Sequence, residues 1–232
     1  MKKRIKKIKK KSVGVKPIPK KIDENHFRVA IFGSARVHKN DKNYKLIYHL
    51  AKMISEENLD IVTGGGPGTM EAANSGHKAG NKENKSHSFG LLIDLPKEQK
   101  ANKHLDVKKE FSIFSDRLNQ FMYLSNAIVV APGGIGTLLE LFYSWQLIQV
   151  EHVCNMPIIL LGDGYDELIK WIKNHLLKNK YIEKKDLDFI FVVNNKKEAM
   201  DIIKLTYHEY LKSGERGNVC INLKKYRERW KV

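Results

Sequence analysis

The chain has 232 residues, of which 42% are hydrophobic and 29% are charged, so it can bury a core of the size that one α/β domain needs. Its two cysteines are too few for a disulfide scaffold, and its apolar runs are strand-sized, far short of the ~18 residues that span a bilayer. The basic start is not followed by the apolar segment of a secretory signal. Composition therefore excludes membrane-spanning, secreted and fibrous classes, and we expect a soluble cytoplasmic protein without a membrane partner.

The formal net charge of +16 comes mostly from the first residues of the chain. Residues 1–21 contain eleven lysines or arginines and no acid, and the remaining 31 basic residues exceed the 26 acidic residues by only five. Self-repulsion and low hydrophobicity predict a disordered tail over residues 1–25, followed by one folded domain over residues 26–232. An arm for nucleic acid, a membrane surface or targeting is the alternative interpretation. Because the tail lacks aromatic residues that could stack on bases, we favour a solvated extension.

Apolar runs and helical periodicity alternate along the rest of the chain. In chain order they predict strand 26–32, helix 43–57, strand 60–63, helix 69–79, strand 88–95, helix 116–124, strand 127–131, helix 137–149, strand 157–161, helix 165–178, strand 189–193 and helix 196–211. Residues 219–223 are a candidate edge strand. Several of the strands are continuously apolar, as in parallel sheets that are covered on both faces. The sequence therefore predicts a single-domain α/β fold, with a parallel sheet and helices on both faces.

Three glycine-bearing turns follow predicted strands. Ligands bind beyond the carboxyl ends of the strands in open α/β sheets, where glycine lets the backbone approach a phosphate and helix N-termini present free N–H groups. Three such turns at one edge predict a phosphate-sized anion site, whereas one alone would be weak evidence. The predicted contacts are Gly33 and Ser34 in the first turn, Gly64, Gly65, Gly66, Gly68, Thr69 and Glu71 in the second, and Gly133, Gly134, Gly136 and Thr137 in the third.

Other common nucleotide and metal patterns are absent from the sequence. No G-x-x-x-x-G-K-[ST] segment occurs, which excludes a Walker-type NTPase. The first strand leads into FGSAR rather than G-x-G-x-x-G, which argues against an NAD site. The nine histidines show no H-x-x-x-H or H-E-x-x-H spacing, so the sequence predicts no metal site.

Two charged residues accompany the turns. Glu140 follows Thr137 by three residues, which matches the T-x-x-E capping box of a helix start. The same spacing would let a first-turn carboxylate face a bound ligand, and the residues alone leave both interpretations open. Arg117, taken alone, is best interpreted as a surface charge near the start of a helix.

These segments together resemble a known family. P-G-G-x-G-T-x-x-E over residues 132–140 and GGGPGTMEAAN over residues 64–74 are similar to the signatures of the Lonely Guy (LOG) family, nucleotide 5′-monophosphate phosphoribohydrolases often labelled "lysine decarboxylase-like". FGSAR at 32–36, LPKEQ at 95–99 and the F-x-x-R that ends at Arg117 follow in the family's order. The likeness covers roughly residues 26–175 and is greater to the longer-chain members.

The resemblance implies a Rossmann-like fold, a homodimer, and hydrolysis of nucleoside 5′-monophosphates, such as AMP or a cytokinin riboside monophosphate, to free base and ribose 5-phosphate. It implies that Arg117 and Glu140 are catalytic, that Glu98 contacts substrate, and that no metal or cofactor is required. The chain departs from the family at Leu118, where a lysine is common, which leaves rate and base preference open. The alternative function is a non-catalytic protein of the same fold that binds or carries a nucleotide or the molybdenum cofactor.

Overall fold

The computed structural model describes residues 16–17, 26–94 and 100–212. The strands of this part are β1 (Lys16–Pro17), β2 (Arg28–Phe32), β3 (Asp60–Thr63), β4 (Ser88–Ile93), β5 (Val107–Phe111), β6 (Ala127–Val130), β7 (Ile158–Leu161) and β8 (Ile190–Val193). Its α-helices are α1 (Lys42–Glu56), α2 (Thr69–Gly80), α3 (Phe114–Leu124), α4 (Ile135–Gln149), α5 (Tyr165–Ile172) and α6 (Lys196–Lys212). A π-helical segment, Lys173–Leu177, extends α5, and a short 3-10 helix covers Lys184–Leu187.

All of the described strands join one parallel sheet in the order β1-β5-β4-β3-β2-β6-β7-β8. From β2 the chain winds outward to β5 on one side, and from β6 it winds outward to β8 on the other. The winding direction therefore reverses between β2 and β6, which is the topological switch point of a Rossmann-like sheet. The predicted α/β class is confirmed.

The central strands are rich in apolar residues because both faces of the sheet are covered. Every residue of β2, β3, β6 and β7 is buried. The helix α1 packs against α2 and α6, and it begins where the Asp41 side chain caps the N–H of Asn43 at 2.7 Å. Its buried apolar residues recur at helical spacing, as Tyr44, Ile47, Leu50, Ala51 and Ile54.

The sequence pattern does not predict β5. The middle of this strand is Lys108, Lys109 and Glu110, and only Val107 and Phe111 are buried. It pairs with β4 and with the two-residue β1 near one edge of the sheet, where solvent reaches the charged side chains. An apolar run is therefore not required for this strand to form.

The division between tail and domain stays a prediction. Lys16–Pro17 lie inside the predicted tail and pair in register with Val107 and Lys108. The other residues of 1–25, and the candidate strand 219–223, lie outside the described residues. Within the described ranges, no helix is both long enough and apolar enough to cross a membrane.

Candidate active site

The three glycine-bearing turns meet at the switch point of the sheet. Strands β3, β2 and β6 are neighbours, so the turns leave their carboxyl ends side by side. Backbone hydrogen bonds join the turns to one another: the Thr69 N–H donates to the Ser34 carbonyl at 2.9 Å, and the Ser34 N–H donates to the Pro132 carbonyl at 3.4 Å. The turns therefore form one connected surface at one edge, as their positions after the strands predict.

A cavity of about 570 Å³ opens at this edge, which is a volume typical of small-molecule sites (~300–1,000 Å³). Eight of the predicted site residues line it, namely Gly33, Ser34, Gly64, Arg117, Gly134, Gly136, Thr137 and Glu140. The lining also contains Arg36, Met70 and Ile135, which the sequence analysis did not single out. Arg36 lies in the FGSAR segment, so its motif was the available signal.

The other predicted residues have different positions. The residues of the turns that do not line the cavity are Gly65, Gly66, Gly68, Thr69, Glu71 and Gly133. Of these, Glu71 forms an ion pair with Lys39. The Nζ atom of Lys39 lies 3.1 Å from the Glu71 carboxylate. Glu98 lies outside the described residues. A ligand contact by any of these residues stays a prediction.

Asn102 holds the second turn in place, and no pattern in the sequence indicated it. Its Nδ2 donates to the carbonyls of Gly65 at 3.1 Å and Gly66 at 2.9 Å, and lies 2.8 Å from the Asn74 amide oxygen. Asn74 in turn accepts from the Thr63 hydroxyl at 3.0 Å and donates to the Ser88 hydroxyl. The Gly65 carbonyl also accepts the backbone N–H of Asn102 at 2.8 Å. This network therefore fixes the backbone of the turn through several hydrogen bonds from one residue.

Arg117 is a buried residue and not the surface charge that its position alone favoured. Only 7% of it is exposed. Its Nε donates to the Leu91 carbonyl at 2.7 Å, and its guanidinium carbon lies 5.2 Å from the centre of the Phe121 ring. A Cβ at Gly64 would collide with Nη2 of Arg117, so the glycine provides the room that the guanidinium occupies.

Glu140 faces this guanidinium rather than closing a capping box. The helix α4 begins at Ile135 with Gly134 as its N-cap, so Thr137 lies inside the first turn and is not the cap. The Oε1 atom of Glu140 lies 3.5 Å from the Nη1 atom of Arg117. The capping-box interpretation is therefore wrong, and the carboxylate is directed at the cavity.

Burial sets the protonation of the pair. It raises the pKa of Glu140 to about 7, and the nearby Arg117 cation opposes this rise. Burial also lowers the pKa of Arg117, against the effect of the carboxylate. Because a guanidinium pKa starts far above neutrality, Arg117 stays charged, whereas Glu140 is poised to gain or lose a proton near neutral pH.

The lining suits an anionic organic ligand better than a metal ion. Among the described lining residues, Glu140 is the one carboxylate, and none is histidine or cysteine. Metals that catalyse hydrolysis are held by several such ligands. The N–H groups of the first turn of α4 have no partner within the helix and carry the positive end of its dipole, which favours a phosphate.

Leu118 does not extend the site. It follows Arg117 on the buried side of α3 and is absent from the cavity lining. The family's usual lysine at this position has no counterpart at the described cavity surface.

Comparison with known proteins gives the family of the chain. The family described as "possible lysine decarboxylase" matches residues 70–203, which is more than half of the sequence. The chain belongs to this family, which includes the Lonely Guy proteins, and the predicted family membership is confirmed.

Two relatives have named activities. The pyrimidine/purine nucleotide 5′-monophosphate nucleosidase of Escherichia coli is 29% identical over 129 residues, which is 53% of this chain and 28% of that protein. The cytokinin riboside 5′-monophosphate phosphoribohydrolase of Mycobacterium tuberculosis is 35% identical over 79 residues, which is 33% of this chain and 41% of that protein. The matched stretch thus spans less than half the length of either relative.

Solved structures share the fold. The molybdenum cofactor binding protein from Rippkaea orientalis has a TM-score of 0.60 and 18% identity, covering 78% of this chain and 98% of that one. The molybdenum cofactor carrier protein from Chlamydomonas reinhardtii has a TM-score of 0.55 and 18% identity, covering 79% and 99%. At these identities the likeness concerns the fold alone.

Proposed function

We propose that the cavity hydrolyses the N-glycosidic bond of nucleoside 5′-monophosphates, giving a free base and ribose 5-phosphate. The observation that carries the proposal is the buried pair of Arg117 and Glu140, which faces a cavity formed by the glycine-bearing turns. The names of the two relatives support it, since both describe enzymes that act on nucleotide 5′-monophosphates. AMP or a monophosphate with a modified adenine is the proposed substrate.

The phosphate binds at the start of α4 in this proposal. The N–H groups of Ile135, Gly136 and Thr137 belong to the first turn of the helix and attract an anion there. Glu140 lies three residues beyond Thr137, which is about one turn or ~5 Å along the helix. In the proposed complex, the ribose and its C1′ atom lie beside the Arg117–Glu140 pair while the turn holds the phosphate, and this separation supports that arrangement. Binding energy from the phosphate then positions C1′ for reaction.

The chemistry follows from the two charges. As the bond between C1′ and the base nitrogen breaks, positive charge grows on the ribose and negative charge on the base. The ionised Glu140 carboxylate stabilises the sugar cation and orients a water molecule, as carboxylates do in glycoside hydrolysis. The water oxygen bonds to C1′, and its proton ends on the departing base. The donors of Arg117 that Leu91 does not occupy stabilise the base as it leaves.

The family's description suggests a different reaction, for which the described lining of the cavity offers no suitable group. A decarboxylase that uses pyridoxal phosphate needs a lysine amine to form a Schiff base. No lysine is found among the described residues that line the cavity. Hydrolysis of the glycosidic bond uses the residues that are present.

A homodimer is also proposed. Helix α4 is apolar on two sides, since Leu141, Trp145 and Ile148 are buried while Ile135, Leu139 and Phe142 are exposed. The exposed residues recur at intervals of four and three, so they form one stripe along the helix. An apolar side of a helix is normally covered, and we propose that a second copy of the chain covers this stripe.

The test is a chromatographic assay for free base and ribose 5-phosphate, using a panel of nucleoside monophosphates. Wild type is expected to release base from an adenine-type monophosphate. Glu140→Gln is expected to bind the same substrate with at least ~100-fold slower release, because the carboxylate is lost while the shape is kept. Glu151→Gln is the matched control, since Glu151 is an exposed carboxylate just beyond the other end of α4.

Two outcomes would contradict the proposal. Undiminished release by Glu140→Gln would remove this carboxylate from the mechanism. Tight nucleotide binding without release from any substrate, or a pterin cofactor that copurifies with the chain, would favour a carrier or sensor of the same fold.

A further inference from the structure

A second group of ligand-type side chains lies at the end of the sheet opposite the cavity. Asp60 is the first residue of β3, whereas the second glycine-bearing turn follows the last residue of that strand. His26 precedes β2, and His87 precedes β4. Because β2, β3 and β4 are parallel neighbours, their amino ends bring these three residues together, although they are far apart in sequence.

The three side chains converge on one point. The Nδ1 atom of His26 lies 3.4 Å from one carboxylate oxygen of Asp60, and the Nδ1 atom of His87 lies 3.8 Å from the other. The three ligand atoms all lie within 4.8 Å of one another. Ligands around a tetrahedral zinc ion, with bonds of ~2.0–2.2 Å, are separated by roughly 3.4 Å. Small rotations of the two imidazole rings therefore suffice to bring all three atoms to bonding distance of one ion.

Asp60 is fixed in place for such a role. It is 1% exposed, and its carboxylate accepts the backbone N–H of His87 at 2.7 Å and lies 3.4 Å from Arg28 Nε. Carboxylates that bind metals are commonly held by hydrogen bonds of this kind, which orient the free lone pairs. The two imidazoles are more accessible, with 34% and 51% of their side chains exposed, so an ion and a water ligand can reach them.

We propose that His26, Asp60 and His87 bind one divalent first-row transition metal ion, with Zn²⁺ as the representative and water in the remaining position. Two imidazoles and one carboxylate are a donor set suited to such ions and poorly suited to Mg²⁺ or Ca²⁺, which prefer oxygen ligands. The ion would tie the segment before β2 to β3 and β4. It lies about four strand residues, or roughly 13 Å, from the cavity edge, so its role is to stabilise the fold.

A simpler hypothesis is that Asp60 forms ion pairs with neighbouring side chains and binds no metal ion. Arg28 already neutralises part of its charge, which weakens the attraction for a cation. The arginine therefore makes us expect an affinity below that of a four-ligand structural zinc site. The two hypotheses differ in whether binding saturates at one ion and requires both histidines.

The test is a calorimetric titration of the full, tag-free chain with Zn²⁺, after a chelator has removed any bound metal. Co²⁺ serves as a second probe because its visible absorption reports its coordination. We expect one Zn²⁺ per chain and a rise in Tm on Zn²⁺ addition. His26→Gln and His87→Gln should each weaken binding at least tenfold and abolish the rise in Tm.

His49→Gln and His152→Gln are matched controls, since both histidines are exposed and lie outside the cluster. Their zinc affinity should equal that of wild type. The proposal is overturned if wild type shows no saturable site, or if both cluster variants bind Zn²⁺ as wild type does. Base release is not a readout here, so failure of this proposal is distinguishable from failure of the proposed reaction.

Discussion

The guanidinium of Arg117 and the carboxylate of Glu140 approach to 3.5 Å from two different helices, α3 and α4. This distance is longer than the ~2.7–2.9 Å of a strong charge-assisted hydrogen bond. Each group therefore keeps hydrogen-bonding capacity that is not used by the other. The pKa of Glu140 is raised even though a cation lies beside it, so burial outweighs the attraction. The two groups can therefore form hydrogen bonds with a substrate that enters between them.

The first prediction concerns the pH dependence of base release. Because the ionised form of Glu140 acts, kcat/KM should rise as the pH increases through about 7. In Arg117→Met the cation that lowers the pKa of Glu140 is absent, so the inflection should move to higher pH and the rate should fall. Initial rates across neutral pH measure both effects.

The substrate phosphate also titrates, near pH ~6, and needs a control. The pH dependence of substrate binding to Glu140→Gln reports the phosphate without the carboxylate. An inflection in kcat/KM that stays in the same place in Arg117→Met would show that Glu140 is not the group responsible.

The second prediction concerns stability. Since the pKa of Glu140 is about 7 in the folded chain and 4.5 ordinarily, the folded chain binds more protons than the unfolded chain between these values. The free energy of unfolding therefore falls as the pH rises from 4.5 to about 7. Glu140→Gln removes this loss, so the variant should be more stable than wild type above pH 7. We expect a gain of about 1–2 kcal/mol in the free energy of unfolding, because burial of the new amide and the loss of the partner of Arg117 offset part of the effect.

Urea denaturation at several pH values measures the difference in the free energy of unfolding between Glu140→Gln and wild type. The difference should shrink toward zero or reverse at low pH, where the wild-type carboxyl is protonated. Glu151→Gln is the control for replacing an exposed carboxylate by an amide. A Glu140→Gln variant that is less stable than wild type above pH 7 would mean that attraction to Arg117 outweighs burial.

Much of the fold is readable from sequence because central strands must be apolar and helices must be amphipathic. The strand β5 could not be predicted in this way, because the charged residues at its centre face solvent near an edge of the sheet. The burial of Arg117 depends on the carbonyl of Leu91, 26 residues away, and on space at Gly64. No local pattern encodes either feature. The motifs nevertheless predicted eight lining residues. Seven of them follow β3, β2 or β6, whose parallel carboxyl ends necessarily meet, whereas Arg117 on α3 was implied by the family resemblance.

The third prediction separates two glycines of the third turn. A Cβ at Gly136 would meet open space, so Gly136→Ala should fold and gain up to ~1 kcal/mol from helix propensity. The same Cβ would enter the proposed phosphate position, so KM for the monophosphate should rise about tenfold, the equivalent of ~1.4 kcal/mol. At Gly133 a Cβ would collide with the Thr137 side chain, so Gly133→Ala should lose ~1–3 kcal/mol of stability. An unchanged KM in Gly136→Ala would place the phosphate elsewhere.

The fourth prediction concerns the exposed apolar stripe of α4. If a second copy covers Ile135, Leu139 and Phe142, light scattering should give the mass of a dimer for wild type. Phe142→Lys should then give a monomer, because a buried, unpaired charge is strongly unfavourable. Trp171→Lys is the control, since Trp171 is a large exposed apolar residue on α5, away from the stripe. A monomeric wild type, or a Phe142→Lys variant that stays dimeric, would contradict the proposed interface.

The last prediction concerns Asn102, which touches the second turn but does not line the cavity. Asn102→Asp keeps the shape and replaces the amide donor with an acceptor, so the carbonyls of Gly65 and Gly66 lose their hydrogen bonds from this side chain and face a negative charge. The backbone N–H of residue 102 still donates to the Gly65 carbonyl. Stability should fall by ~1–3 kcal/mol, and kcat should fall because a shift of the turn at Gly64 would change the space that Arg117 occupies. Asn81→Asp is the comparison, because Asn81 caps a loop at the other end of α2. Equal losses of kcat in the two variants would mean that the Asn102 network has no specific role in positioning the site.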